Sequence, residues 1–272
     1  LLLLYWCGRT EAMNARLVET RPLIEQYGTP TQRATLLSRL SSHLNRANRF
    51  TPTAAALEYA RAAMETEQSR TEPKGRPYLV FSYGFNLLWH RKFGDAESQL
   101  TTALEIAIQA VDVSLQSRCL AYLALLHRMQ RCPGKVREIA ERGLETANST
   151  GQQDYIGANL ANLAWVAWQE NDRAEAERLA SAALGAWDSM SHHYPLYWQA
   201  LLPLLSIALD RGEFDQALDF ARTMIDPSQQ RLPDPIDPLL QQADSAARDQ
   251  SASAARGLLA DALSAARTLA LL

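Results

Sequence analysis

Cysteine, glycine and strand-forming runs are all scarce in this chain of 272 residues. Its 3 cysteines stand far apart and form no C-x-x-C pair, so they indicate neither a disulfide framework nor a zinc site. The chain has only 12 glycines, Ala and Leu dominate, and Val, Ile and Thr almost never alternate with polar residues. That balance favours helix over sheet, so the sequence predicts an all-α protein with essentially no strand.

Excess charge and long hydrophobic runs are also missing. The formal net charge is −3, which gives no electrostatic footprint for nucleic acid. The opening residues LLLLYWCG are too short for a signal-peptide core and lack a basic flank, and no later apolar run approaches the length of a membrane span. We therefore expect a cytoplasmic chain in which this segment contacts neither nucleic acid nor a membrane.

Motifs that carry chemistry are absent from the sequence. It lacks the G-x-x-x-x-G-K-[ST] loop, since PGKV at 133–136 is a lone Gly-Lys pair, and none of its 5 histidines has H-E-x-x-H or Cys/His ligand spacing. His43 and His127 fall on the packed side of their predicted helices, where an interior histidine is more common than a ligand. No nucleophile, base and orienting group recur together. We expect this segment to be non-catalytic, with no cofactor and no metal.

A repeat of about 40 residues runs through the chain. Small residues mark its equivalent positions, which we call the anchors: Ala12, Ala56, Ala96, Val136, Ala176, Ala217 and Ala255. The intervals between them are 44, 40, 40, 40, 41 and 38 residues. Apolar residues stand sixteen positions before each of the last six anchors, and again four and eight positions after them. The offsets of four and eight are helical spacing, so each repeat ends in an amphipathic helix.

Each repeat is predicted to be a pair of helices, A and B, with the anchor in helix B. Helix A fills the first half of the repeat and ends in a short polar turn such as QENDR or LDRGEF. A small anchor lets the two helices approach closely, where a leucine would force them apart. One pair cannot bury both of its apolar faces, so the pairs must stack. The predicted fold is a right-handed α-solenoid of about six to seven helix pairs.

The stretch MIDPSQQRLPDPIDPLL, residues 224–240, holds four of the 12 prolines, and no regular helix can run through it. We expect helix B to end near Ile225 and the next helix A to begin at about Pro238, with Asp237 as its N-cap. The stretch is then a lengthened joint between repeats, not a domain boundary. Pro203 lies inside a predicted helix A and should kink it. Two other long loops are predicted at residues 69–77 and 189–195.

Three segments carry a resemblance to a known repeat family: NLAWVAWQENDRAEAERLASAAL, WQALLPLLSIALDRGEFDQAL and DPSQQRLPD. Helix pairs with a small residue at the tight contact resemble tetratricopeptide repeats, and a period longer than the usual length of about 34 is similar to the long-helix, MalT-like variant. The three segments resemble the C-terminal region of bacterial STAND-type signal-transduction ATPases. This resemblance covers nearly the whole chain. It implies upstream nucleotide-binding and output domains, such as an adenylate cyclase or a transcriptional regulator, as partners within the same polypeptide.

The sequence departs from this family at one position in most of its repeats. The family prefers glycine five positions before the anchor, and only Gly212 meets that preference; Arg91, Arg131, Asn171 and Gln250 stand at the equivalent places. The chain also begins without methionine, inside a predicted helix A. We expect residues 1–272 to form one solenoid that is a fragment of a longer polypeptide.

In tetratricopeptide arrays the inner face of each helix A lines a concave groove, and the resemblance implies a set of candidate binding residues. They are Tyr78, Phe81, Phe85, Trp89, Arg118, Arg128, Trp165, Trp168, Gln169, Trp198 and Gln199. An aromatic-rich groove with two arginines suits a peptide, a helix of a protein partner, or a small planar or sugar-like ligand. Trp165 and Trp168 lie three positions apart and share a face, which makes them the leading candidates. The alternative is that these aromatic side chains only fill the space between long helices.

The function predicted from these features is that of a sensor or protein-interaction arm of a cytoplasmic signal-transduction ATPase or transcriptional regulator. A ligand or partner in the groove would bias the attached nucleotide-dependent domain toward one conformation. A stand-alone scaffold that assembles protein partners is the alternative, and it requires a short native polypeptide. An enzyme with a helical-toroid active site would need clustered polar residues in a cavity, of which the sequence offers few.

Overall fold

A computed structural model of the chain describes residues 1–68 and 76–272, and in this part the backbone forms α-helices and no strand, which confirms the predicted all-α class. The helices are α1 Leu2–Trp6, α2 Thr10–Tyr27, α3 Pro30–Ala47, α4 Ala54–Gln68, α5 Arg76–Trp89, α6 Phe93–Gln109, α7 Val113–Met129, α8 Pro133–Thr150, α9 Gln153–Gln169, α10 Arg173–Asp188, α11 Trp198–Arg211, α12 Phe214–Ile225, α13 Ile236–Arg248 and α14 Ala252–Thr268. The loop predicted at 69–77 lies outside the described residues except for its last two positions.

Odd-numbered and even-numbered helices alternate as helices A and B of consecutive pairs. In the first pair, helix A is α1, which has only 5 residues. The helices A of the later pairs are much longer, from the 13 residues of α13 to the 18 residues of α3. From α1 to α6 and from α8 to α14, consecutive helices pack against each other, as a stack of helix pairs requires.

The anchors are buried between the helices. Six of them have no exposed surface, namely Ala56, Ala96, Val136, Ala176, Ala217 and Ala255, whereas Ala12 in the first pair is half-buried. The residues four positions later are also fully buried: Ala60, Leu100, Ala140, Ala180, Ala221 and Leu259. Each of these helices B therefore carries a narrow, mostly small-residue stripe, which is the surface that close helix packing needs.

The chain divides into two compact units after residue 122, inside α7. Unit 1, Leu1–Tyr122, contains α1 to α6 and the first part of α7, and one of its apolar clusters is formed by Met13, Leu17 and Leu36. Unit 2, Leu123–Leu272, contains the rest of α7 and the helices up to α14.

A left-handed residue stands in the turn that connects helix A to helix B in each of the seven described pairs, and in the last five pairs it lies five positions before the anchor. Arg91, Arg131, Asn171, Gly212 and Gln250 have φ angles of 56°, 59°, 65°, 76° and 58°. Of these, only glycine enters this region without steric strain from a Cβ atom, and a side chain there costs roughly 1–2 kcal/mol. The four non-glycine residues therefore keep the backbone conformation for which the family prefers glycine, and each adds local strain.

The proline-rich stretch corrects one predicted boundary. α12 ends at Ile225, as predicted, but α13 begins at Ile236, two residues earlier than expected, and its N-cap is Pro235. Asp237 therefore lies in the first turn of α13 and is not the N-cap. Pro238 is tolerated at the third helical position because the first backbone N–H groups of a helix have no acceptor within it.

The same stretch packs against the turn that precedes α11, within unit 2. The Gln229 side chain donates from Nε2 to the carbonyl oxygen of Tyr194 at 3.0 Å, and the indole of Trp198 donates to Oε1 of Gln230 at 2.7 Å. Gln229 and Gln230 are both buried. These contacts tie the joint to the preceding repeat, as expected for a connection between repeats of one unit.

α9 and α10 approach closely at a glycine. A Cβ atom on Gly157 would overlap the indole ring of Trp187, with Cε2 at 2.6 Å. That ring is held in place because it stacks on Tyr194 at 4.7 Å and on Tyr197 at 5.1 Å, and it donates a hydrogen bond to the carbonyl oxygen of Asp154 at 3.0 Å. Gly157 is thus the residue that permits this helix contact.

Replacing Gly157 by alanine is expected to destabilise the protein by about 1–3 kcal/mol, because the trapped indole cannot move away from the new methyl group. Gly185→Ala is the matched control: it lies inside α10, a Cβ there meets no atom within 4 Å, and it should stabilise by about 0.5–1 kcal/mol through helix propensity. Urea unfolding followed by circular dichroism measures both changes. Equal unfolding midpoints for the two variants would contradict the close approach of α9 and α10.

Candidate functional site

In unit 1, four aromatic residues of the predicted groove follow one face of α5. The ring centroids of Phe81 and Phe85 are 6.1 Å apart, and those of Phe85 and Trp89 are 5.8 Å apart. These three side chains are buried, whereas 42% of Tyr78 is exposed. Interior packing, which was the alternative interpretation, describes the three buried rings. Tyr78 is the member of this group that a ligand could reach.

Arg118 of α7 lies over this aromatic row. Its guanidinium carbon is 5.5 Å from the ring centroid of Phe81 and 6.0 Å from that of Tyr78. The Tyr78 hydroxyl donates to Oδ2 of Asp112 at 2.7 Å, and burial, followed by this hydrogen bond, raises the pKa of Tyr78 to about 12. The phenol is therefore neutral at physiological pH and acts as a hydrogen-bond donor.

Residues near the start of the chain, which sequence reasoning missed, join the same face. The guanidinium of Arg118 lies 5.2 Å from the Trp6 ring, and that of Arg46 lies 5.7 Å from the Tyr5 ring and 5.6 Å from Phe50. Cation–π contacts of this kind hold an arginine without a carboxylate. Residues of α1 and α3 thus add to the predicted site in unit 1.

A sequence signal for part of this face was available in α3. Arg39, His43 and Arg46 stand at positions i, i+4 and i+7, which places three basic groups on one helix face. His43 is half-buried, and its Nδ1 atom has no hydrogen-bond partner among the described residues. His127, in contrast, has the hydrogen-bond partner expected of an interior histidine, because its Nδ1 lies 3.0 Å from Oε1 of Gln130.

In unit 2, the centre of the predicted site is Arg128, which has no exposed surface. Its guanidinium lies 5.7 Å from the Trp165 ring and 5.2 Å from the Trp198 ring. It has no carboxylate within 4 Å among the described residues and donates instead to backbone carbonyl oxygens, to Gln199 at 2.9 Å and to Leu271 at 2.7 Å. Burial lowers the pKa of Arg128 to about 9, so the side chain still carries its charge at neutral pH.

The hydrogen bond from Arg128 to the carbonyl oxygen of Gln199 replaces a helical hydrogen bond that Pro203 cannot make. In an α-helix the carbonyl of Gln199 would accept from the N–H of residue 203, and Pro203 has no N–H. Pro203 does lie inside α11, as predicted. Because a buried carbonyl without a donor is costly, the Arg128 guanidinium supplies the donor that the helix lacks.

The last residues of the chain cover this part of unit 2. Arg131 donates to the carbonyl oxygens of Arg267 and Thr268 at the end of α14, and Leu271 and Leu272 are buried. The face that was predicted to be an open groove is therefore occupied, within unit 2, by residues 267–272, which we call the closing segment.

The other predicted residues of unit 2 differ in exposure. Trp168 is half-buried between the guanidinium groups of Arg173 at 4.9 Å and Arg267 at 5.5 Å, and Gln169 is exposed. Trp165, Trp198 and Gln199 are buried. Arg128 Nε, Trp165 Nε1 and Gln199 Oε1 have no hydrogen-bond partner among the described residues. Buried polar atoms are normally paired, so the protein's own atoms leave this network incomplete.

A cavity that sequence reasoning did not identify lies in unit 2 between α10, α11 and α12. Its volume is about 350 Å³, and Leu184, Leu204 and Phe220 line its apolar part. Three acidic residues, Glu177, Asp188 and Glu213, also line it, and Glu177 pairs with Arg211 at 2.6 Å. None of the predicted site residues lines this cavity, and no spacing or motif in the sequence indicated it.

In residues 1–68 and 76–272, no three side chains of His, Cys, Asp or Glu lie close enough together to hold a metal ion. Within the same ranges, no helix combines the length and the hydropathy that a bilayer-crossing segment needs.

Comparison with known proteins relates the chain to helical repeat structures. No protein-family model and no curated protein matches it. Among solved structures, it is similar to BtubC (BKLC) from P. vanneervenii, with a TM-score of 0.56 and 15% identity over 79% of this chain and 87% of that one. It is also similar to the apo form of RapI, with a TM-score of 0.56 and 12% identity over 94% of this chain and 69% of that one. These likenesses, together with the helix pairs described above, confirm a helical repeat fold of the α-solenoid type.

We expect Arg128→Met to destabilise the protein by roughly 1–3 kcal/mol, because the carbonyl groups of Gln199 and Leu271 lose their donors while buried. The cost should be about 1 kcal/mol smaller in a Pro203→Ala background, since alanine restores the helical N–H to the Gln199 carbonyl. A double-mutant cycle by urea unfolding measures this coupling. Strictly additive changes would contradict the proposed compensation between Arg128 and Pro203.

Proposed function

We propose that this chain is a non-catalytic binding arm through which a cytoplasmic signal-transduction ATPase or transcriptional regulator senses a peptide or protein partner. The observation that carries the proposal is the closing segment, held on Arg128 and Arg131 through its backbone carbonyl oxygens. The helical repeat fold supports it, because stacked helix pairs present extended surfaces for partners.

The contacts of the closing segment can be exchanged. Backbone carbonyl oxygens occur in every polypeptide, so Arg128 and Arg131 can bind a partner segment as well as the chain's own residues. Apolar side chains such as Leu271 and Leu272 supply the buried surface. A helix end or extended peptide with apolar side chains offers the same two features, and it would compete for the same place.

Replacement of the closing segment by a partner segment would act as a conformational switch. A partner that binds only when the closing segment is displaced favours the open arrangement by its differential affinity for the two states. Upstream domains that interact differently with the two arrangements would then respond to the partner. The arm itself needs no catalytic residue for this role.

Arg131→Gln tests the proposal, because it removes two bonds to the closing segment without emptying the buried Arg128 site. Hydrogen exchange of residues 267–272 should become faster, and nucleotide hydrolysis by the native, longer polypeptide should change several-fold in the absence of a partner. Arg142→Gln is the control, since it removes the same charge from an exposed position of α8.

Hydrogen exchange and nucleotide hydrolysis together distinguish a sensor arm from an arm that is not coupled to an output. Faster exchange with unchanged hydrolysis would show that the closing segment is not coupled to any output. A native polypeptide without a nucleotide-binding domain would contradict the sensor role and favour a stand-alone scaffold.

A further inference from the structure

The cavity in unit 2 is a trough between α10 and α12, with α11 beneath it. α10 and α12 each pack against α11, but not closely against each other. The buried residues Leu204, Ile207 and Ala208 of α11 form the floor, and Leu184 and Phe220 form apolar walls. The volume of about 350 Å³ falls within the range of roughly 300–1,000 Å³ that small-molecule sites have. The trough is therefore large enough for a small ligand with an apolar body.

One wall of this cavity is open at a glycine inside a helix. Gly185 lies within α10 and lines the cavity, and a Cβ atom there would meet no atom within 4 Å. Glycine weakens a helix relative to alanine. At Gly157 that loss permits a close contact between helices, whereas no protein atom uses the space beside Gly185. A ligand can therefore occupy this space without moving a side chain.

The charged groups that line the cavity are all acidic. They are Glu177, Asp188 and Glu213, and no lysine, arginine or histidine belongs to the described lining. Glu177 pairs with Arg211 beside the cavity, and Asp188 accepts from the Tyr197 hydroxyl at 2.7 Å. In the part of the chain that the structure describes, Glu213 has no cationic group within 4 Å and no hydrogen bond to its carboxylate. Glu213 is thus the acidic group of the cavity that is open to a ligand.

The neighbours of these carboxylates do not remove the negative character of the rim. The hydrogen bond to Glu177, and then the charge of Glu177, raises the pKa of Arg211, while Glu213 adds a smaller effect in the same direction. Arg211 therefore lies near Glu213, but it donates to Glu177, at 2.8 and 2.6 Å. Burial raises the pKa of Tyr197, so the partner of Asp188 is a neutral phenol. The sign of the rim favours a cation.

From the apolar trough and its acidic rim we infer that this cavity binds a small organic cation, an aliphatic chain that carries an ammonium group. The chain covers the apolar surface of Leu204, Ile207 and Phe220, and the ammonium group donates to the Glu213 carboxylate at the exposed rim. An ammonium group is protonated at neutral pH, as the lysine side chain is. An anion would be repelled by the same rim, and an uncharged ligand would leave Glu213 without a partner.

This site goes beyond the proposed function, because none of its lining residues belongs to the closing segment, and its binding is measurable on residues 1–272 alone. Octylamine, octanol and octanoate share one chain and differ in charge. Isothermal titration calorimetry, at concentrations below those at which these compounds form micelles, measures the affinity for each. We expect saturable binding of octylamine, several-fold weaker binding of octanol, and no detectable binding of octanoate.

Gly185→Leu places a side chain in the open space of the cavity and should weaken octylamine binding about tenfold or more. Leucine also favours the helix, so the fold should persist. Gly257→Leu is the matched control: it lies inside α14, a Cβ atom there also meets nothing within 4 Å, and it does not line the cavity. Octylamine affinity should be unchanged in this control.

Glu213→Gln tests the ammonium contact. It should weaken octylamine binding several-fold and leave octanol binding nearly unchanged, because only the charged ligand loses an ion pair. Asp215→Asn is the control, since it removes one negative charge from an exposed position of the same helix that does not line the cavity. This control should keep the preference for octylamine over octanol.

Three results would overturn the assignment. They are the absence of saturable octylamine binding, octanol binding as tight as that of octylamine, and octylamine binding that persists in Gly185→Leu. Thermal unfolding checks that each variant is folded. If Gly185→Leu does not fold, Gly185→Ala replaces it; its methyl group takes less of the space and should still weaken octylamine binding several-fold.

Discussion

Helices of a pair can approach closely only where small side chains meet, and the rest of each unit depends on that approach. Six of the seven anchors have no exposed surface, and at Gly157 even a methyl group would collide with Trp187. The aromatic rings of the predicted groove lie on the helices A. In unit 1 they form the row from Tyr78 to Trp89, and in unit 2 they surround Arg128. On the helices B, the small residues form the stripe that the paired helix contacts, and Trp187 fits into the α9–α10 contact because it faces a glycine.

Arginines beside these rings are held differently from those at the surface. Arg61, Arg178 and Arg211 pair with glutamates in exposed positions, where an ion pair contributes about 0–1 kcal/mol. Arg128 and Arg46 lie over aromatic rings, and Arg128 also donates to backbone carbonyls. Rings and carbonyls compensate only part of the lost hydration, because neither carries a full negative charge. Such arginines keep a capacity for further acceptors, which is the common feature of the faces in the two units.

The repeat period, the helix pairs and the end of α12 could be predicted, because they depend on local spacing and on proline. The start of α13 was wrong by two residues, since the first turn of a helix tolerates a proline that the sequence alone suggests as its first residue. The candidate residues were found as types on helix faces, but their burial was not predicted. Contacts such as Arg128 with Leu271 and Arg118 with Trp6 join distant parts of the sequence, and no period encodes them. The unpaired Oε1 atom of Gln199 could not be predicted either, because its surroundings depend on the same contacts between distant parts of the sequence.

Bonds between Arg128 and Leu271, and between Arg131 and Arg267, join residues 143 and 136 positions apart. A repeat protein whose contacts are limited to neighbouring pairs unfolds gradually from its ends, because each terminal pair has a neighbour on one side only. In unit 2 the last helix is tied back to the first, so its outer pair cannot fray independently while these bonds persist. Unit 2 should therefore unfold in one cooperative step. It should also fold more slowly than a simple helical array, because its most distant contacts close a loop of nearly its whole length.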